Sequence, residues 1–404
     1  MIFNIKITFT NLIKVLLINY LRNLNFIIMK LPHVGTSIFP VMTALANKHG
    51  AINLAQGFPG FEANSNLLDL VSKHITEGRN QYAPLLGLLS LREKLAEKIS
   101  DLYGFEYNPE NEICITAGAT QAIYTSISAI IYEGDEVIII EPAYDCYEPA
   151  VILNKGVPIR SQLKQCDYSI DWEDVKGKVS GRTKMIVVNS PQNPSGTVWN
   201  SSDIQSLKSI VLNTNIVILS DEVYEHITYD GKRHESICRY PELAERSFTI
   251  YSFGKTYHVT GWRMGYVCAP KELMDKFVNC HQFQVYAVNT PFQYAISDFT
   301  DNKDAYLELN QFFQDKRDFF LDCLKGSRFQ PKKCSGTYFQ LLDYSNITNE
   351  DDKDFADRLT IDYGIASIPI SGFFHNKRQD QVLRFCFAKN NDELEKGAEC
   401  LHKL

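Results

Sequence analysis

The sequence predicts an α/β protein built around a largely parallel β-sheet. Short apolar runs recur along the chain with helical patterns between them. The polar motifs that can carry chemistry follow the ends of these runs, where open parallel sheets place their ligands. Strands are predicted at seven places: near 112–116, 137–140, 157–161, 184–188, 216–220, 248–252 and 265–269. Amphipathic helices are predicted at 67–76 and 88–102.

Two domains are expected, because a chain of 404 residues exceeds the size at which a single core usually divides. Residues 54–300 are predicted to form a large domain around the sheet. Residues 301–404 are predicted to form a smaller α+β domain, to which the N-terminal segment 29–53 also belongs. The apolar spacing at 304–324 predicts one long helix leading out of the sheet domain. The remaining elements of the small domain are predicted at 337–342, 351–362, 382–387 and 392–402.

The first 28 residues are interpreted as an extension without a role in the fold. Their longest unbroken apolar runs have four residues, which is too short for a membrane span. A small-residue cleavage site is missing after the apolar part, so a signal peptide is not indicated. Our hypothesis is that translation starts at Met29.

Charge and cysteine content exclude several classes of protein. The net charge of −7 and the lack of a long basic run argue against a nucleic-acid-binding protein. The ten cysteines form no Cys-x-x-Cys pair and no cluster with histidine, so neither a disulfide scaffold nor a metal site is predicted. A reducing cytoplasm is the expected compartment.

Walker A, Gly-x-Ser-x-Gly and His-Glu-x-x-His patterns are all missing from the sequence. Their absence argues against the commonest nucleotide-binding, hydrolase and metalloprotease sites.

The stretch SFGKTYHVTGWRMG, from Ser252 to Gly265, carries the clearest chemical signal. Lys255 follows a buried strand and lies among aromatic residues, where desolvation favours the neutral amine that attacks a carbonyl. Ser252 and Arg263 could converge on a phosphate close to that carbonyl. Pyridoxal phosphate (PLP) carries both an aldehyde and a phosphate. Alternatives are a solvated surface lysine and a serine acyl-enzyme site, but Ser-Asp-Asn and Lys-Thr-Gly are missing.

An acidic residue upstream is placed to serve the pyridine ring. Asp221 closes the apolar run 216–220, and a buried carboxylate there could keep the ring nitrogen protonated. Tyr224 could reach the phenolic oxygen of the ring, together with Asn193 in the loop PQNPSG. For Asp221 alone, a helix N-cap or a structural ion pair is the alternative.

A second part of the phosphate site is predicted at a helix N-terminus. Ala119 and Thr120 follow a short strand and Gly118, and they open a helical pattern whose free backbone amides would face an anion. Tyr144, in EPAYDCYEP, is a candidate to stack on the cofactor ring. Packing in the core is an equally common role for such an aromatic residue.

Arg384 is the candidate for binding a substrate carboxylate. It is the only charge in the apolar run 382–387, and a guanidinium can bind a carboxylate with two parallel hydrogen bonds. An internal salt bridge to an Asp or Glu is the alternative.

Eight motifs in order resemble the class I aminotransferases of PLP fold type I, nearest to the methionine aminotransferases and then the kynurenine aminotransferase and glutamine transaminase K group. The motifs are NLAQGFPGF, NQYAPLLGLLSLR, TAGATQAI, EPAYDCYEPA, NSPQNPSGT, SDEVYEH, SFGKTYHVTGWRMG and VLRFCFAK. The resemblance covers the chain from about Leu31 to the C-terminus. It implies a PLP-binding large domain, with Lys255 as both the Schiff-base lysine and the catalytic base.

The resemblance also implies features that the residues alone do not indicate. The Gly57 backbone and Asn193 would help Arg384 to bind the substrate carboxylate. Tyr82 would reach the phosphate of a neighbouring subunit, so the active unit would be a homodimer. Tyr286 would line the substrate pocket from the partner subunit, with core packing as the alternative. Methionine and aromatic or other large uncharged amino acids would be the donors, in a ping-pong reaction with a 2-oxo acid.

Three other functions remain as alternatives. A cysteine-conjugate β-lyase uses nearly the same residues. A ligand sensor of this fold would need an added DNA-binding domain, for which the N-terminal extension is too short. A PLP-free lysine aldolase would have no use for Asp221, Tyr224 and the phosphate site.

Overall fold

The computed structural model describes residues 30–31 and 34–404. The hypotheses about residues 1–28 and a start at Met29 therefore fall outside the described residues. Ser37–Leu404 form one compact unit. The following description concerns Ser37–Leu404 alone. No helix within the described residues is long and apolar enough to cross a bilayer.

A seven-stranded sheet organises the larger part of this unit. Its strands are β2 (Ile113–Thr116), β3 (Glu136–Glu141), β4 (Val157–Gln162), β5 (Thr183–Asn189), β6 (Val217–Asp221), β7 (Ser247–Ser252) and β8 (Gly265–Cys268), and a short β1 (Ile52–Asn53) precedes them. The spatial order is β2-β8-β7-β6-β5-β3-β4. Strand β8 is antiparallel to both of its neighbours, and the other pairs are parallel. The predicted α/β fold with a mostly parallel sheet is confirmed.

The register of the strands brings polar residues together at one edge. Asn189, the last residue of β5, pairs with Asp221, the last residue of β6. Ser252 ends β7 and pairs with Gly265, which opens β8. Because parallel strands end at the same edge, the loops carrying the predicted motifs lie side by side.

Helices cover both faces of this sheet. The helices before residue 300 are α1 (Ile38–His49), α2 (Ser65–Thr76), α3 (Leu89–Tyr103), α4 (Ala119–Ile130), α5 (Tyr147–Leu153), α6 (Trp172–Gly177), α7 (Ser201–Val211), α8 (Pro241–Ala244), α9 (Phe253–Thr256), α10 (Lys271–Gln284) and α11 (Thr290–Phe299). Of these, α1 packs mainly on the C-terminal elements described below. Alternate residues of β5 show the two layers. Met185 and Val187 pack with α4 and α10, whereas Ile186 and Val188 pack with α7. Both faces are therefore apolar, as a parallel sheet requires.

A four-stranded sheet follows. The elements of the C-terminal part are α12 (Asp304–Leu307), α13 (Leu309–Cys323), β9 (Gln330–Pro331), β10 (Phe339–Asp343), α14 (Asp352–Asp362), β11 (Ile365–Ala366), β12 (Ile368–Pro369), β13 (Val382–Cys386) and α15 (Asn391–Leu401). The sheet order is β12-β13-β10-β9, and β1 pairs with β11. Arg384 lies on the central strand β13, opposite Leu341 and Ile368. The proposed domain boundaries, 54–300 and 301–404, stay a prediction.

The prediction of a single long helix at 304–324 is wrong. Two helices occupy this segment, and they meet at Glu308. The bend places the buried Tyr306 ring 5.0 Å from the ring of His226, while Leu309 and Phe313 pack into the core. Apolar spacing alone cannot show such a bend, because both helices keep the same buried side.

Candidate active site

One pocket collects most of the residues that the sequence singled out. It lies at the carboxyl ends of β5, β6 and β7, beside the N-terminus of α4. Eleven of the thirteen predicted site residues line it: Gly57, Ala119, Thr120, Tyr144, Asn193, Asp221, Tyr224, Ser252, Lys255, Arg263 and Arg384. Residues from widely separated parts of the sequence therefore form one site.

Lys255 reaches the pocket from the short helix α9, directly after β7. Its Nζ donates hydrogen bonds to the Gly57 carbonyl oxygen at 3.2 Å and to the Tyr338 hydroxyl at 3.0 Å. Burial lowers the pKa of Lys255 to about 8, and the nearby cations Arg263 and Arg384 act in the same direction. A larger share of neutral amine is therefore present near neutral pH, as attack on a carbonyl requires.

Asp221 is a buried carboxylate at the end of β6. Its Oδ2 accepts a hydrogen bond from the Tyr147 hydroxyl at 2.6 Å, and its Oδ1 accepts one from the Val223 amide at 3.3 Å. Burial raises the pKa of Asp221 to about 6, although these two hydrogen bonds oppose the change. Among the described residues Asp221 neither caps a helix nor forms an ion pair, so both alternative interpretations are wrong.

Two polar side chains flank this carboxylate. The Tyr224 ring lies 5.7 Å from Lys255 Nζ and packs edge-on against Tyr338 at 5.2 Å. Asn193 accepts a hydrogen bond from Arg384 through its Oδ1 at 2.7 Å. The Tyr144 ring also lines the pocket, 6.0 Å from the ring of Tyr147. The residues predicted to contact the cofactor ring thus all line the pocket.

The N-terminus of α4 and Arg263 form a positively charged recess. No side chain caps α4, whose preceding residue Gly118 has φ of 81°. A Cβ at Gly118 would approach Arg263 Nη2 to 2.8 Å, so glycine lets the guanidinium lie against the helix N-terminus. Among the described residues the Arg263 side chain donates only to the Thr260 carbonyl, and it has no carboxylate partner. With the Ser252 hydroxyl, this recess fits a phosphate.

Arg384 is a buried cation without a carboxylate partner in the part of the chain that the structure describes. It is 1% exposed. Its Nη1 donates to Asn193 and its Nη2 to the Ala55 carbonyl oxygen at 3.0 Å, while Nε has no partner among the described residues. The guanidinium stacks 3.8 Å from the centroid of the Phe339 ring. Burial lowers the pKa of Arg384 to about 10. The alternative interpretation of Arg384 as part of an internal salt bridge is therefore wrong. The guanidinium can accept a ligand carboxylate as its partner.

Tyr82 and Tyr286 lie outside the pocket. They are 83% and 53% exposed, and their rings contact each other edge-on at 5.5 Å. Their expected roles need a second subunit and stay predictions.

Four aromatic residues that line the pocket or contact its residues were not among the predicted site residues. Phe39, from α1, and Phe339, from β10, are aromatic walls of the pocket. Tyr147 lies in the same motif as Tyr144, but no local pattern indicated its contact with Asp221. Tyr338 joins Lys255 only through the fold, so no sequence signal could have identified it.

The sequence comparisons agree with this geometry. The family profile for aminotransferase class I and II matches residues 49–401. Over 376 residues the chain is 42% identical to a methionine aminotransferase of Escherichia coli (strain K12), covering 93% of this chain and 97% of that protein. It is 33% identical over 410 residues to a kynurenine–oxoglutarate transaminase of Dictyostelium discoideum, covering 92% of this chain and 94% of that protein.

Solved structures show the same likeness. A structure from Escherichia coli with a methionine aminotransferase function has a TM-score of 0.90 and 41% identity, covering 93% of this chain and 99% of that one. N-succinyldiaminopimelate aminotransferase from Mycobacterium tuberculosis has a TM-score of 0.89 and 32% identity, with the same coverage of both chains. The reactive amine, the buried carboxylate and the phosphate recess fit PLP. The chain therefore belongs to the class I and II aminotransferases, which are PLP-dependent enzymes.

Proposed function

We propose that this aminotransferase takes its amino group from methionine or another large uncharged L-amino acid and passes it to a 2-oxo acid. The observation that carries the proposal is the arrangement of cations in the pocket. Of the three basic side chains that line it, Lys255 and Arg263 are assigned to PLP, which leaves Arg384 for the substrate. The aromatic walls, which include Phe39 and Phe58, favour an apolar substrate side chain. The Escherichia coli relative named above is a methionine aminotransferase.

The residues of the pocket divide into three tasks. Bound PLP supplies an electrophilic aldehyde and an electron-withdrawing ring. Ser252, Arg263 and the amides of Ala119 and Thr120 would hold its phosphate. Asp221 would keep a proton on the ring nitrogen. Tyr224 and Asn193 would donate hydrogen bonds to the ring oxygen, and Tyr144 would stack on the ring.

Substrate binding and proton transfer use the remaining groups. Arg384 would bind the α-carboxylate, with Asn193 and the Gly57 backbone beside it. The Lys255 amine would remove the proton from the substrate α-carbon. Its lowered pKa increases the neutral fraction of this amine, which is the form able to accept that proton.

A screen of single amino acids tests the donor preference. Each of methionine, kynurenine, phenylalanine, glutamine and aspartate is added alone to PLP-loaded enzyme, and the loss of its visible absorption and the released 2-oxo acid are followed. Methionine should react fastest and aspartate poorly, with parallel lines in double-reciprocal plots of the full reaction. A preference for aspartate would overturn the substrate assignment. Release of pyruvate and ammonia from a cysteine conjugate would instead identify β-lyase activity.

The active unit is proposed to be a homodimer in which Tyr82 contacts the phosphate site of the partner. The high exposure of Tyr82 and Tyr286 supports this, because large aromatic side chains are commonly covered at interfaces. Mixing two variants provides the test. Tyr82→Phe should weaken PLP binding, and Lys255→Ala should be inactive. A hybrid dimer has one site with Lys255 and an intact Tyr82 from the other subunit, so mixing should restore tight PLP binding to that site. No restoration would contradict the crossing.

The cytoplasm is proposed as the location. All ten cysteines are free, including the exposed Cys166, as expected in a reducing compartment. Cell fractionation with an antibody to the protein tests this, and recovery in an oxidising compartment would contradict it.

A further inference from the structure

Lys389 is a buried cation that the chemistry proposed above does not use. It follows β13 and is only 3% exposed. Its Nζ donates a hydrogen bond to the Phe58 carbonyl oxygen at 3.1 Å and lies 4.4 Å from the centroid of the Phe58 ring. Lys389 takes part in none of the ion pairs between described residues. Because a buried ammonium without a carboxylate is costly, its contacts with Phe58 are the interactions that offset the cost.

Phe58 belongs to a segment that borders the pocket. We call residues 54–61 the Phe58 loop. Both Gly57 and Phe58 line the pocket, and the Phe58 ring is 41% exposed. The Ala55 carbonyl accepts from Arg384, and the Gly57 carbonyl accepts from Tyr338 at 2.7 Å. The backbone of the loop just before Phe58 is therefore tied to residues of the active site.

The Phe58 side chain has fewer supports than its neighbours. Phe61 packs edge-on against the rings of His258 at 4.8 Å and Phe312 at 5.2 Å. No aromatic pair among the described residues includes Phe58. The Lys389 ammonium, 4.4 Å from the ring centroid, is the charged group that contacts the Phe58 ring.

We propose that Lys389 is a positioning residue that holds Phe58 as the pocket wall against which the side chain of the donor amino acid packs. This inference rests on the proposed function and deepens it, because it assigns the choice of large uncharged donors to a particular wall. A missing methylene in an apolar pocket changes kcat/KM by about tenfold or more, so a displaced phenyl ring should be measurable.

The test compares methionine with alanine as donors. The quantity measured is the ratio of the two kcat/KM values in wild type, Lys389→Met, Phe58→Ala and the double variant. Each single variant should lower the ratio by about tenfold, mainly through KM for methionine. The double variant should be no worse than either single variant, because both remove the same wall. Lys271→Met is the matched control, since Lys271 is an exposed lysine paired with Asp275.

A second measurement does not depend on turnover. Hydrogen exchange of the apoprotein reports on the Phe58 loop directly, because the Gly60 amide donates to the Ala388 carbonyl at 2.8 Å. In Lys389→Met the peptide covering 54–61 should exchange faster, and in Lys271→Met it should be unchanged. Unchanged exchange in both variants would overturn the positioning role.

The outcomes separate the inference from the proposed function. If wild-type enzyme does not use methionine, the proposed function fails, and the exchange experiment still decides whether Lys389 holds the loop. If it uses methionine and Lys389→Met keeps the wild-type ratio, the inference is overturned. A double variant whose loss is the product of the two single losses also overturns it. If Lys389→Met does not fold, the Phe58→Ala variant decides. An unchanged ratio of kcat/KM values in Phe58→Ala would show that Phe58 is not the wall against which the donor side chain packs, and would overturn the inference.

Discussion

The Tyr147 hydroxyl donates a hydrogen bond of 2.6 Å to Oδ2 of Asp221, and both residues are buried. Burial makes the charged carboxylate less favourable and raises the pKa of Asp221 to about 6. The hydrogen bond works against that effect, because it stabilises the charged form. Tyr147 therefore helps to keep Asp221 anionic, which is the form that would stabilise a proton on the pyridine nitrogen.

Replacing Tyr147 with phenylalanine should change how the stability of the apoprotein depends on pH. The folded-state pKa of Asp221, about 6, lies above its ordinary value of 3.8. Between these values the native state binds more protons than the unfolded state, so the free energy of unfolding falls as pH rises and levels off above pH 6. The fall due to Asp221 is about 3 kcal/mol. Loss of this hydrogen bond in Tyr147→Phe should raise the pKa of Asp221 further. The pH range over which the free energy of unfolding falls should therefore extend upward by about one pH unit.

Urea unfolding of the apoprotein from pH 4 to pH 8 measures this effect. Asp221→Asn is the control, because it removes the titrating group and should flatten the part of the curve due to Asp221. Other groups titrate in the same range, so the difference between variants is the informative quantity. Superimposable curves for wild type and Tyr147→Phe would show that the hydrogen bond does not govern Asp221.

Lys255 should react with aldehydes at a pH at which an ordinary lysine is almost fully charged. Burial lowers its pKa from 10.5 to about 8, so the fraction of reactive neutral amine rises as pH increases through about 8. Apoprotein incubated with PLP between pH 6 and pH 10 and then reduced with borohydride should give an adduct at position 255. The initial rate of labelling, followed by mass spectrometry of the peptide, should have its midpoint near pH 8.

Lys255→Ala is the control for that experiment, and its peptide should carry no adduct. A labelling rate that keeps rising to pH 10 without a midpoint would show that burial does not make the amine reactive. An absence of adduct in wild type would contradict the assignment of Lys255 as the lysine that forms a Schiff base with PLP.

A site residue could be predicted from the sequence only where the residues next to it along the chain indicate its position in the fold. Asp221 and Lys255 were found because each follows an apolar run, and the ends of such runs meet at one edge of a parallel sheet. Tyr338 and Lys389 were not found, because their contacts with Gly57 and Phe58 join segments about 280 and 330 residues apart. A pattern along the chain does not carry such pairings; only the packed structure does.

Gly118→Ala should weaken the binding of PLP. The residue has φ of 81°, and a Cβ would lie 2.8 Å from Arg263 Nη2, so the guanidinium must move away from the N-terminus of α4. Loss of one charge-assisted contact should raise the Kd for PLP by about tenfold or more. Titration of apoprotein with PLP measures this. Pyridoxal, which lacks the phosphate, is the matched ligand, and its Kd should change little. Equal weakening of both ligands would locate the damage outside the phosphate recess.

Arg384→Met should separate activity from stability. The guanidinium is buried, its Nε has no partner among the described residues, and burial lowers its pKa to about 10. Removing a buried charge that lacks a carboxylate partner relieves a desolvation cost, so the melting temperature of the apoprotein should stay the same or rise. The substrate carboxylate loses its charged partner at the same time, which should lower kcat/KM for methionine by about a hundredfold.

The two measurements on Arg384→Met must be read together. If Arg384 were a structural residue, the variant would lose stability, and its residual activity would fall with the folded fraction. If Arg384 binds the substrate carboxylate, the loss should appear only with amino acids and 2-oxo acids, while the Kd for PLP stays near that of wild type. Asn193→Ala provides a comparison, because it removes the Oδ1 acceptor of Arg384 Nη1 but leaves the cation in place. A smaller loss in that variant than in Arg384→Met would identify the charge as the group that binds the carboxylate.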